Sequence, residues 1–104
     1  MLTLTSEAHQ TYLMLNQQYA RDIAAGHLET KLSDLLNAIH DKYKVVQLYP
    51  KLGKEVTLPD GRQARVLELL DGWKMIYAVL LDAIEVLNFV NEKERETTIT
   101  EGTV

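Results

Sequence analysis

The stretch Leu69–Val90, "LLDGWKMIYAVLLDAIEVLNFV", decides the fold. At helical spacing, Trp73, Ile76, Leu80, Ala83, Leu87 and Val90 fall on one stripe, with Lys74, Asp82, Glu85 and Asn88 opposite. Asp71 would then cap one long helix over 71–94, in a mostly α protein with a β-hairpin at 54–69. As strands, Asp71-Gly72 makes a two-residue primed turn, and Ile76, Tyr77, Val79, Ile84, Val86, Phe89 and Val90 suit a pleated sheet. The next turn, within "LLDAIE", has no glycine, and the poor alternation demands strands buried on both faces. Periodicity favours the helix; turn chemistry favours the strands.

Upstream, the signals are less divided. Ser6 is the expected N-cap of a first helix, with Glu7 in its first turn. Ala8, Tyr12, Leu15, Tyr19 and Ile23 form its apolar stripe, and Gly26 ends it with a left-handed residue. Leu28, Leu32, Leu35, Leu36, Ile39, Tyr43 and Val46 repeat at helical spacing and define a second helix. So short a connection makes the two an antiparallel hairpin. Pro50 and Gly53 then close the helical region. In "VTLPDGRQARV", Pro59, Asp60 and Gly61 turn the chain between Val56/Leu58 and Ala64/Val66, a half-buried β-hairpin.

The 104 residues bound one small domain, assigned to 1–92, with a polar, flexible tail at 93–104. There are no cysteines, so disulfides and thiolate chemistry are excluded and a reducing, cytoplasmic setting fits. The start carries no basic, apolar leader pattern, and Met75–Leu81, the longest apolar run, is far short of a membrane span. A net charge of −4 argues against affinity resting on nucleic-acid phosphates.

The order of elements carries a resemblance. "LTLTSEA", two helices, "YPKLG", "LPDGRQARV", "WKMIYAV" and "IEVLNFV" together resemble the RelE/ParE toxin superfamily over roughly residues 2 to 92. The resemblance implies an α+β fold, an N-terminal helical hairpin packed on a C-terminal antiparallel β-meander, and so the strand interpretation of 69–90. It also implies a basic surface, onto which Arg65 maps with Lys54 and Arg62 in support, and an antitoxin-like protein partner. Ribonucleases of that family place a His or Tyr near the C-terminus for proton transfer, whereas here Asn91 stands at that place and Tyr77 is the last tyrosine. The expectation is therefore protein–protein binding without catalysis, and without cofactor or metal.

Each candidate has a plainer counterpart. Lys54, Arg62 and Arg65 either contact a phosphate or antitoxin, or simply keep an exposed hairpin soluble. Met75, Leu81 and Phe89 fall off the best helical stripe, and with Trp73 and Tyr77 they are expected to bury against a second copy in a homo-oligomer, or in the core. Glu68, Asp71, Asp82 and Glu85 would share a face of one continuous helix. That is reminiscent of Mg²⁺-dependent all-α nucleotide pyrophosphohydrolases, although an acidic stripe is usually a solvated face. His9, His27 and His40 share no ligand spacing and belong to the surface. An oligomeric binding module with an SH3-like β-half is the remaining alternative.

Overall fold

The decisive stretch folds as two antiparallel strands, β4 (Trp73–Val79) and β5 (Ile84–Asn91). The computed structural model describes residues 1–26 and 31–91. The helix expected over 71–94 as the alternative is thereby excluded. Asp71 and Gly72 take φ of 54° and 82°, and the Trp73 N–H donates to the Leu70 carbonyl at 3.0 Å. Positive φ at both central residues is the signature of a type I′ turn, whose twist matches that of the strands it joins. The glycine-free turn at the other end of β4 closes with the Leu80 N–H on the Ala83 carbonyl at 2.8 Å.

The poor alternation of β5 has a local cause. The register runs Ile76 to Asn88 but Tyr77 to Val86, so Leu87 is an extra residue in a β-bulge. Ile84 and Val86 face the core, and beyond the bulge Phe89 does so again, although it lies at odd spacing from Val86. With Leu87 counted out, period 2 is restored.

The remaining elements are β1 (Leu2–Leu4), α1 (Ser6–Ala24), α2 (Lys31–Leu48), β2 (Lys54–Thr57) and β3 (Gln63–Glu68). The five strands form one open sheet in the order β1-β5-β4-β3-β2, antiparallel except for the β1–β5 pair. It is an α+β fold, and its β-half is an open sheet, not a closed SH3-like barrel. In the β2–β3 hairpin, the Asp60 carboxylate accepts from the Arg62 N–H at 3.0 Å and Gly61 sits at φ 88°, as the Pro-Asp-Gly signal requires.

Thr5, not Ser6, caps α1. The Thr5 hydroxyl accepts from the Ala8 N–H at 3.2 Å and donates to the Leu87 carbonyl at 2.7 Å. Its own N–H donates to the Val86 carbonyl at 2.9 Å, so the β1–β5 pairing fixes the start of the helix one residue early. Gly26, at φ 88°, follows the C-cap Ala25 as expected. Ala8 and Leu15 from α1, and Leu35, Leu36, Ile39 and Val46 from α2, pack with Met75, Tyr77, Ile84, Val86 and Phe89 from one sheet face. Leu28, expected in the second stripe, lies outside the described residues, as do His27 and the 93–104 tail.

One group in this core is poorly served. The Tyr43 hydroxyl is buried without a hydrogen-bond partner among the described residues, and its ring lies 6.4 Å from that of Phe89. Burial, then the neighbouring Tyr12 phenol, pushes Tyr43 well above the ordinary value of 10.0. The folded chain therefore resists ionising a phenol that the unfolded chain ionises freely. That contribution to stability is complete below pH 10 and is lost as pH rises above it. Tyr43→Phe is expected to be neutral to stabilising by about 1 kcal/mol at pH 7. It should also flatten the alkaline limb of denaturant midpoint plotted against pH; a loss of 2 kcal/mol or more, or an unchanged limb, contradicts it.

Candidate functional site

The three basic candidates do not converge. Arg65 lies on the helix-facing side of β3, across from Tyr77. Its guanidinium donates to the carbonyls of Lys51 at 3.0 Å and Gly53 at 2.6 Å, and lies 3.6 Å from the Glu55 carboxylate. Its side chain is only 19% exposed. Arg65 is thus an internal clamp on the loop after α2. Lys54 is exposed at the start of β2 and is paired with Val66, on the opposite sheet face. Arg62 sits in the β2–β3 turn, its Nε 2.7 Å from the Asp60 carboxylate. The Arg62 N–H, then its guanidinium, hold the Asp60 carboxyl below its usual range.

Tyr77 completes the clamp. Its hydroxyl donates to the Pro50 carbonyl at 2.8 Å and accepts from the Gly53 N–H at 2.8 Å. A Cβ at Gly53 would stand 2.7 Å from that hydroxyl and 3.0 Å from the Val66 carbonyl, so only glycine allows the approach. The Pro50–Gly53 loop is therefore bolted to the sheet by one tyrosine and one arginine.

Of the expected interface side chains, Met75, Tyr77 and Phe89 are core residues of the single chain, at 0%, 0% and 2% exposure. Met75 pairs with Phe89, and Tyr77 with Val86 and Arg65, on the sheet face that packs against the helices. Trp73 is half-buried against the same core, and Leu81 alone of the five is fully open, at 99%.

The other sheet face carries no helix. Val56, Ala64, Val66, Ile76, Ala78 and Val90 share it by register. At one end the β2–β3 hairpin and the start of α1 border a groove of about 590 Å³. Leu58, Ile76, Leu87 and Val90 supply apolar walls, while Arg62 and Glu7 set opposite charges on its rim. Such a surface suits an amphipathic segment better than a small polar substrate. Sequence reasoning flagged Val56, Leu58, Ala64 and Val66 as half-buried but did not find the groove. The bulge at Leu87, which puts an apolar side chain beside Ile76, has no sequence signal.

The acidic residues separate. Asp71 and Asp82 occupy the turns at opposite ends of β4, about 23 Å apart for a seven-residue strand. Glu68 lies on β3 and Glu85 on β5, so the stripe expected for a Mg²⁺-dependent pyrophosphohydrolase does not exist, and that alternative is withdrawn with the all-α fold. No group of three or more metal-ligating side chains occurs among the described residues. His9 is exposed, and His40, also exposed, meets the Tyr12 hydroxyl at 2.7 Å between the helices. No helix among the described residues is long and apolar enough to cross a membrane.

No protein-family model matches the sequence, and no curated protein matches it. A solved chain described as the chromosomal ParDE TA system from P. aeruginosa superposes with a TM-score of 0.61 at 18% identity. The match covers 86% of this chain and 92% of that one, and is a likeness of fold.

Proposed function

We propose that the chain is a RelE/ParE-like protein that acts by binding another protein, an antitoxin-like partner among its ligands, without cleaving RNA. The observation that carries this is the groove on the helix-free sheet face, with apolar walls and a rim bearing both charge signs. The likeness of fold to a ParDE chain supports the choice of partner class. The loss of Arg65 to loop carbonyls supports the non-catalytic part, because that cation is not free to hold a scissile phosphate. The proposal includes a homo-oligomer, held through a surface other than the groove.

Induced expression in a bacterial host tests both parts. Growth should slow, recover when a small protein encoded beside the chain is co-expressed, and leave ribosome-bound messenger RNA intact. Ile76→Glu, which places a charge in the groove, should prevent both the slowing and co-purification of the two proteins. Messenger RNA cleavage would overturn the non-catalytic part. Co-purification unaffected by Ile76→Glu would remove the groove from the partner interface.

A further inference from the structure

At the end of the molecule where α2 stops and β4 turns into β5, large apolar side chains gather in solvent. Leu48, Tyr49 and Leu52 come from the first segment, and Val79, Leu80 and Leu81 from the second. Two depressions meet there and share Pro50 and Val79 as a common ridge. Taking on the order of 200 Å² for a fully exposed large side chain, the six present roughly 700 Å², above the usual largest patch of a monomer. That is close to the ~800 Å² each partner contributes to a standard interface.

We infer that this end is the interface of a two-fold symmetric dimer of the chain, in which Leu81 of each copy enters the depression lined by Leu48, Tyr49 and Leu52 of the other. Three features select a second copy as the occupant. The patch carries its own knob and its own hollow: Leu81 is 99% exposed at the turn tip, and the neighbouring depression is walled almost wholly by apolar groups. Its charges are self-complementary, since Asp82 borders one depression and Lys51 the other, on either side of the Pro50–Val79 ridge. A two-fold axis through that ridge sets each Lys51 beside the other copy's Asp82. Finally, the area suits a complete interface, and a reciprocal contact closes on itself where a one-way contact would grow a fibre. This surface is distinct from the groove, so the inference stands or falls separately from the partner-binding proposal.

Sedimentation equilibrium of the full chain over a wide concentration range tests it. A monomer–dimer equilibrium is expected, and Leu81→Glu should raise the dimer dissociation constant about a hundredfold or more, because the side chain is used twice. Leu81 makes so little contact within its own chain that the variant's circular dichroism should be unchanged. Lys51→Glu and Asp82→Lys should each weaken the dimer about threefold, and the double reversal should restore it. A monomer at every concentration overturns the inference. So does a dimer indifferent to Leu81→Glu, or a double reversal weaker than both single ones.

Discussion

Tyr77→Ala is expected to cost at least about 4 kcal/mol of stability. The ring is fully buried in the middle of the sheet, and removing it leaves a cavity beneath the helices. The hydroxyl also holds the Pro50 carbonyl and the Gly53 N–H, so the loop after α2 loses its anchor at the same time. For a small domain stable by roughly 5–15 kcal/mol, such a loss approaches global unfolding. Tyr77→Phe separates the contributions: it keeps the ring and should cost about 1–3 kcal/mol through the two bonds alone. Urea unfolding followed by circular dichroism measures both. A Tyr77→Ala midpoint close to that of the parent would show that the hydroxyl clamp and the ring packing have been misjudged.

The same residue shows how far the sequence could be read. Both helices and the Pro-Asp-Gly hairpin follow from local chemistry, apolar stripes and residues tolerant of positive φ, whereas the α+β class followed only from what the resemblance implies. The 69–90 stretch resisted because a bulge at Leu87 inserts one residue and breaks period 2, leaving a spacing that also fits a helix. Asp71-Gly72, whose positive φ values a helix start does not need, argued the other way, with the β-branched and aromatic residues of 76–90 and the resemblance beside it. Arg65 was hard to read for a different reason. Arg65 looks available in one dimension, and only the register, which sets it across from Tyr77 and beside the loop carbonyls, reveals its partners. The end patch was partly legible through Leu81. Its other half comes from the end of α2, which no sequence spacing connects to the β4–β5 turn.

Phe89→Ala decides between core and interface for the aromatic residues of that stretch. The side chain is 2% exposed, pairs across the sheet with Met75 and faces the Tyr43 ring of α2. Truncation should therefore cost about 3–5 kcal/mol in the monomer, from lost transfer energy and from a cavity that the rigid sheet cannot close. Phe89→Leu retains most of the volume and should cost less than about 1.5 kcal/mol. Neither change reaches the surface carrying Leu81, so the dimer dissociation constant of the folded fraction should stay within about threefold of the parent value. An interface residue would behave in the opposite manner, with stability kept and association lost. Unfolding measured on dilute protein, paired with sedimentation at a temperature where Phe89→Ala remains folded, therefore gives two different patterns. Loss of the dimer with an unchanged unfolding midpoint would return Phe89 to the interface and require β5 to turn its other face to the helices.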